Sequence, residues 1–265
     1  MPLNKPLAVG RTAEVFPWEE NQILKLFLEG MSSDWVEYEL NVSKLVETVG
    51  LQVPKVFKRV EVNGRHGIVY EHIKGSSMLR TMQSNLWKLK SYARQLAELH
   101  ISIHDVRISE LPSLKEKLES KILSQGRLTL GEKQEIVRIL QDLPDDNRLC
   151  HGDFHPDNII LTTNGPFIID WLDATRGNPL ADIARTNLLL KIAVPPTGWM
   201  VRFLIRVFQS RFQKYYQRHY FQISDQNQEQ LKHWQLPVAA ARLVDNIPEE
   251  RPQLLDLIRS QLTSS

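Results

Sequence analysis

The chain is poor in the features that would place it outside ordinary globular proteins. It has one cysteine, Cys150, so no disulfide can form within it and a disulfide scaffold is excluded. A lone thiol fits a reducing compartment, and the location expected is cytoplasmic. Long apolar runs are also missing. The most apolar window, Leu188 to Phe208, is broken by Lys191, Pro195, Pro196, Arg202 and Arg206. A membrane span needs about 20 mostly apolar residues, so none is expected. The first residues, MPLNKPLAVGRTAEVF, hold no continuous apolar core of the kind a secretory signal requires. Repeats and low-complexity tracts are absent. Excess charge of one sign is absent too. Lys and Arg total 33 and Asp and Glu 31, a net charge of +2, which gives no electrostatic reason to expect nucleic acid as a partner. What remains is a 265-residue chain, 42% hydrophobic and 24% charged, long enough to bury a core without staples.

Residues 1–73 read mainly as strand. AEVFPW and QILKLFL are two short runs separated by EEN, and VFKRVEV and HGIVYEHI flank Asn63-Gly64, a strong hairpin signal. One helix interrupts them, from Ser33 or Asp34 to Gly50. Val42, Leu45, Val46 and Val49 form its apolar stripe, and Glu39 shares that stripe. From Ser84 the pattern turns helical, with Leu89, Tyr92, Leu96, Leu99 and Ile103 as one buried face. Ser113…Glu116 and Thr129…Glu132 read as capping boxes. A hairpin, NIILTT and FIID across Asn164-Gly165, follows, and then Asn178-Pro179 opens a helix. Three more helical stretches are expected at about 198–222, 225–243 and 249–263. The fold class expected is α+β, with a small β-rich lobe (1–73) and a larger, mostly helical lobe (74–265). The boundary falls at Lys74-Gly75-Ser76-Ser77.

The densest chemistry lies in His151-Gly-Asp153-Phe-His155-Pro-Asp157-Asn158, followed by Ile168-Ile169-Asp170-Trp171-Leu172-Asp173. A polar turn with local caps is the plain explanation. Two sharper ones compete with it. Mixed imidazole and carboxylate ligands from His151, Asp153, His155 and Asp157 suit zinc, iron or manganese, as in a metal-dependent hydrolase. Alternatively Asn158 and Asp170 supply the hard oxygen donors that Mg²⁺ prefers, leaving Asp153 to accept a proton from a hydroxyl. The N-terminal lobe favours the second. Alternation puts Ile23, Lys25 and Phe27 on one strand face. A lysine there wants a carboxylate, and Glu39 offers one. A strand lysine with a helix glutamate, an Asp-x-x-x-x-Asn loop and a later strand-end Asp is the phosphoryl-transfer set of eukaryotic kinases.

These motifs resemble those of the aminoglycoside phosphotransferase and choline-kinase-like superfamily, whose members share the two-lobed protein-kinase-like fold. Val53-Pro54-Lys-Val56 and Leu96-Ala-Glu-Leu-His100 are similar to the family as well. The resemblance implies an ATP- or GTP-dependent kinase acting on a hydroxyl of a small molecule: an amino alcohol, a sugar or an aminoglycoside-like acceptor. It implies Asp153 as the catalytic aspartate, and Asn158 and Asp170 as the Mg²⁺ ligands. Lys25, paired with Glu39, would hold the nucleotide phosphates, with Gly10 and Thr12 in the nucleotide loop. Glu71, His72 and Ile73 would be the hinge that meets adenine through its backbone. His151 would brace the catalytic loop, and Asp182 matches a family aspartate that hydrogen-bonds it. The nucleotide loop has one glycine, and no Asp-Phe-Gly, His-Arg-Asp or Ala-Pro-Glu occurs. A protein-substrate kinase with an activation loop is therefore disfavoured. A kinase-fold protein that binds nucleotide without turnover is the alternative from another class. Residues Trp199 to Ile223 carry five basic residues, eight aromatics and no acid. That composition suits a neutral or anionic acceptor at least as well as a polycation.

Overall fold

The computed structural model describes residues 5–192 and 199–263. Its elements run, in order, β1 (Ala8–Val9), β2 (Ala13–Pro17), β3 (Gln22–Phe27), α1 (Ser33–Glu47), β4 (Val56–Val62), β5 (Arg65–Glu71), β6 (Ser76–Ser77) and α2 (Met78–Gln83). Then come α3 (Leu89–His104), α4 (Leu114–Ser124), α5 (Leu130–Asp142), β7 (Arg148–Cys150), β8 (Ile159–Thr162), β9 (Gly165–Ile168) and β10 (Thr175–Gly177). Four helices close the chain: α6 (Pro179–Ile192), α7 (Trp199–Ile223), α8 (Leu231–Arg242) and α9 (Arg251–Leu262). The fold is α+β, as the sequence implies. No described helix is long and apolar enough to cross a membrane.

The chain forms two compact units. One is Met1–Ser84 with Pro156–Asp173, and the other is Asn85–His155 with Ala174–Ser265. In the first, an antiparallel sheet has the order β1-β2-β3-β5-β4. One face buries Phe27 and Ile68 against Val36 and Leu40 of α1; the other collects Phe16, Leu24, Leu26 and Val69. Alternation along β3 thus turns Lys25 toward the face that α1 covers. Helix α1 is capped by Ser32, whose hydroxyl accepts from the Trp35 N–H. Its buried residues are Val36, Glu39, Leu40, Val42 and Val46, so Glu39 does sit on the buried stripe. The β8–β9 hairpin belongs to this unit because β8 pairs with β6.

The two Asn-Gly pairs behave differently. Val62 faces Arg65 across Asn63-Gly64, and both turn residues have positive φ, 53° and 75°. In the second hairpin Thr162 faces Gly165, so the turn is Thr163-Asn164 and Gly165 opens the strand with φ 108°. Gln52 fixes this register. Its side-chain amide donates to the Asn164 carbonyl, and its own carbonyl accepts from the Ile168 N–H.

The second unit is helical. Thr129 and Glu132 form the full capping box, and the Ser113 hydroxyl accepts from the Glu116 N–H. The buried face of α3 is Leu89, Ala93, Leu96, Ala97, His100, Ile103 and His104, while Tyr92 and Leu99 are only half buried. Two alanines and two histidines take the inward positions that a purely apolar count assigns to larger side chains. The stretch expected as helix from 225 starts at Leu231, because Asn227 caps a short 3-10 turn ahead of it.

Candidate active site

In the first unit the strand lysine, the helix glutamate and the strand-end aspartate come together. Lys25 Nζ donates to Glu39 Oε1 at 2.7 Å and to Asp170 Oδ1 at 3.1 Å. The Tyr70 hydroxyl donates to Glu39 Oε1 at 3.1 Å and is itself in hydrogen-bond contact with the Ser43 hydroxyl at 3.0 Å. Burial opposes the charge on Lys25. The carboxylates of Asp170 and Glu39, with Tyr70, outweigh it and hold the lysine pKa above its ordinary value. Glu39 Oε2 is buried and has no hydrogen-bond partner. The side chain of Asp170 is 44% exposed.

Asp170 is also set apart by its backbone. It has φ 66°, the left-handed region, and the other described non-glycine residues there are asparagines, which tolerate it better. It follows β9, and the Ile169 N–H donates to the Asn158 carbonyl at 3.0 Å, which ties the backbone of the two expected metal ligands together. Asn158 itself is buried. A side-chain amide oxygen and a carboxylate are the hard donors that Mg²⁺ takes, so these residues fit that ion.

The other expected nucleotide contacts are backbone positions. Gly10 lies in the turn from β1 to β2, where its N–H donates to Ala13 O at 2.8 Å, and the Thr12 carbonyl accepts from Leu28 N–H. At the end of β5 the N–H of Glu71 is taken by Lys55 O and that of His72 by Asn21 O. The Ile73 N–H makes no hydrogen bond among the described residues.

In the second unit the residues of the expected catalytic loop are held by one another and by α6. The Asp153 N–H donates to His151 Nδ1 at 3.2 Å. His155 Nε2 lies 3.4 Å from Asp153 Oδ2, and Arg185 Nη2 lies 3.8 Å from Asp153 Oδ1. Burial pushes the Asp153 carboxyl up, but His155, Arg185 and His151 together overcome it and leave it below the usual carboxylate value. Asp182, in the first turn of α6, accepts from the His151 N–H at 2.6 Å through Oδ2 and from the Gly152 N–H at 2.9 Å through Oδ1.

Behind Asp182 lies a network that takes in His100 and whose other members, His104, Tyr216 and Tyr220, sequence reading missed. Nε2 of His100 and of His104 stand 3.1 and 3.3 Å from Asp182 Oδ2. A carboxylate only accepts, so both Nε2 atoms donate. In the neutral imidazole Nδ1 then accepts, and the hydroxyls of Tyr216 (2.6 Å, to His100) and Tyr220 (2.7 Å, to His104) donate to it. Burial, then the neighbouring His104, lower the His100 pKa to about 3, the Asp182 hydrogen bond notwithstanding. Burial raises Asp182, but its hydrogen bonds and charge contacts to His100 and His104 prevail and hold it well down. The signal available in sequence is the matched i, i+4 spacing of His100/His104 and Tyr216/Tyr220.

Among the described residues, His100, His104 and Asp182 are the one group of three or more His, Cys, Asp or Glu side chains whose ligand atoms converge. The set His151, Asp153, His155 and Asp157 does not form such a group. His151 Nδ1 turns instead to the loop's own backbone. Cys150 is fully buried, and burial pushes its thiol well above the ordinary value, so it is a packing residue.

A half-buried lysine held by a helix glutamate and a strand-end aspartate in the first unit, and an Asp153 loop braced by Asp182 in the second, make up the residue set of one class: a small-molecule phosphotransferase of protein-kinase-like fold. The chain belongs to the phosphotransferase enzyme family, whose model it matches over residues 5–234. No curated protein matches the sequence. The fold is that of a thermostable mutant of the aminoglycoside phosphotransferase APH(4)-Ia in apo form, with TM-score 0.67, 14% identity, and 98% of this chain and 95% of that one covered. It is also that of amicoumacin kinase hAmiN in complex with AMP-PNP, Ca²⁺ and Ami, with TM-score 0.64, 15% identity and coverage of 96% and 86%. A choline/ethanolamine kinase family protein from Mesorhizobium loti matches with TM-score 0.57, 13% identity and coverage of 100% and 86%.

Proposed function

We propose that the chain is a Mg²⁺-dependent kinase that moves the γ-phosphoryl group of ATP or GTP to a hydroxyl of a small molecule in the cytoplasm. Residues 1–73 serve the nucleotide and residues 74–265 carry the catalytic loop and the acceptor. The observation that carries this reading is Lys25 held at once by Glu39 and Asp170. A surface lysine needs no such pair. A phosphate-binding lysine does, because its charge must be kept and aimed while desolvated.

Each residue then has a task. Lys25 binds the α- and β-phosphates, with Glu39 and Tyr70 fixing its position. Asn158 and Asp170 would hold the metal ion. Bound there, Mg²⁺ would neutralise charge on the β- and γ-phosphates. Gly10 and Thr12 close over the phosphates, and the Ile73 N–H, with the backbone of Glu71 and His72, receives the adenine or guanine edge. Asp153, ionised at neutral pH, orients the acceptor hydroxyl and takes its proton. The absence of any acid in α7 supports a neutral or anionic acceptor over a polycation.

A phosphoryl-transfer screen with ATP and GTP against amino alcohols, sugars, aminoglycosides and hydroxy acids tests the reading. Turnover with one class is the expected result. Asp153→Asn should keep the fold and nucleotide affinity and lower kcat about 10²- to 10⁴-fold, the usual contribution of a positioned base. Most activity surviving that change would remove Asp153 from the role. Tight nucleotide binding with no acceptor consumed would replace the kinase by a nucleotide-binding protein.

A further inference from the structure

One charged side chain outside the roles above stands next to the loop carboxylate. Arg185 lies on α6, three residues after Asp182, so the two project from one side of the helix. Its Nε donates to the Gly152 carbonyl at 3.3 Å, and its Nη2 donates to Asp245 Oδ2 at 3.3 Å. The same Nη2 is the atom 3.8 Å from Asp153 Oδ1. Only 13% of the side chain is exposed. Asp245 is in turn bound by Arg242 Nη1 at 2.5 Å, and Arg242 grips Glu250 through Nε and Nη2 at 2.8 and 2.9 Å. Guanidinium and carboxylate groups therefore alternate from Glu250, just before α9, through Arg242, Asp245 and Arg185 to Asp153, all within the second unit.

The guanidinium of Arg185 is shared among three oxygens, and its planar fork leaves little freedom to swing toward an acceptor anion. Its geometry suits holding a neighbour in place. We propose that Arg185 is a positioning residue for the Asp153 carboxylate, fixing its orientation and keeping it in the form that accepts a proton. The groups facing Asp153 include His155 and His151 from its own loop and Arg185 from α6, with Arg242 of α8 further off. Arg185 is the permanent cation among the nearest. The histidines lend a full charge only when protonated.

The kinetic consequence rests on the kinase reading; the electrostatic one does not. The direct test is a carbon-13 NMR titration of the Asp153 carboxyl, its resonance assigned by loss in Asp153→Asn. In the parent the resonance should keep its carboxylate position down to the acid unfolding limit. In Arg185→Gln it should titrate about one pH unit closer to neutrality, since an opposite charge within 4–6 Å shifts a carboxyl by about that much or more. His155→Ala, measured alongside, gives the loop histidine's own share. If Arg185→Gln does not fold, Arg185→Lys is read in its place. It keeps the charge without the fork and should give a smaller rise in the same direction. A variant that melts lower while its Asp153 titrates as in the parent would make Arg185 a structural tie only and overturn the proposal. With an acceptor in hand, the acid limb of kcat/KM should move up with the carboxyl. A shifted carboxyl in a protein that turns over nothing would sink the kinase reading and leave this one standing. Turnover with an unshifted carboxyl would do the reverse.

Discussion

Two charged clusters, one in each unit, use the same chemistry to opposite ends. In the first unit Lys25 is bound by Glu39 and Asp170, yet the cluster has spare capacity: Glu39 Oε2 is buried without a partner, and Asp170 is largely open and sits on strained backbone. In the second unit Asp182 accepts from two backbone N–H groups and two histidines, each histidine is backed by a tyrosine, and all of these side chains are buried. A cluster with unspent donors and acceptors is arranged to meet something else. A saturated one is arranged to keep a loop still. Both clusters hold charge away from water at a cost, but in the first one buried acceptor, Glu39 Oε2, is left without a partner.

The sharpest break of that comparison is Asp182→Ala. It leaves the His151 and Gly152 N–H groups and both histidine Nε2–H groups without their acceptor inside a closed core. Urea unfolding should show a loss of about 4 kcal/mol, the cost of breaking a buried charged network by removing one partner. Lys25→Ala should cost less, about 2–3 kcal/mol, because the Tyr70 hydroxyl still donates to Glu39 and water reaches the site. Lys25→Met combined with Glu39→Leu should recover that stability without recovering nucleotide binding, as read by calorimetry with AMP-PNP. If Lys25→Ala melts and binds like the parent, the strand lysine is only a surface residue.

Acid sensitivity separates the clusters too. The folded-state pKa of His100 lies at about 3, below the 6.5 of a free histidine. As pH falls below 6.5 the unfolded chain takes up a proton that the folded one refuses, so stability falls until about pH 3. One such proton contributes about 1.4 kcal/mol per pH unit. Asp182, with its carboxyl held low, adds loss of the same sign further down, below the ordinary carboxylate pKa. Chemical denaturation at pH 7, 6, 5 and 4 should show this slope, and His100→Asn should flatten it by about one proton whatever its effect on the baseline.

How far the sequence carried these clusters depends on how local the signal was. Lys25 and Glu39 were legible because each breaks a short pattern: a lysine on a core-facing strand position, a glutamate on an apolar helix stripe. The fold class followed from the switch from strand to helix periodicity. The pairing of Lys25 with Asp170, 145 residues away, has no local trace, since both ends look complete in their own elements. His104, Tyr216 and Tyr220 were hidden for a related reason. At helical spacing they read as an ordinary amphipathic face, and the alanines beside the histidines shift that face away from where the large apolar residues point. Arg185 looks like one more surface cation on an amphipathic helix until Asp245 and Gly152 are brought to it by the tertiary fold. The Thr163-Asn164 turn was misplaced by one residue because Gln52, more than 100 positions earlier, sets its register.

The smallest expected change in stability is also the one that separates function from folding most cleanly. Asp170 occupies φ 66°, a conformation that costs a non-glycine side chain on the order of 1 kcal/mol of strain and costs glycine no strain, only the extra backbone freedom it loses on folding. Its ion pair with Lys25 is open to solvent on the aspartate side, and such a pair is worth about 0–1 kcal/mol. Asp170→Gly therefore releases strain about as large as the attraction it removes, and its unfolding free energy should stay within about 1 kcal/mol of the parent. Nucleotide binding should respond quite differently. Without the carboxylate, Asn158 is left as a single neutral donor, too weak to hold Mg²⁺, and the Mg²⁺-dependent part of AMP-PNP affinity should vanish in calorimetry while the Mg²⁺-independent part remains. A protein that folds as well as its parent and no longer distinguishes buffer with Mg²⁺ from buffer without it would mark Asp170 as strained for its ligand. Unchanged Mg²⁺ dependence would move the metal away from Asp170. A large loss of stability would mean that the left-handed turn is held by the aspartate side chain itself, and that this cluster is as structural as the one around Asp182.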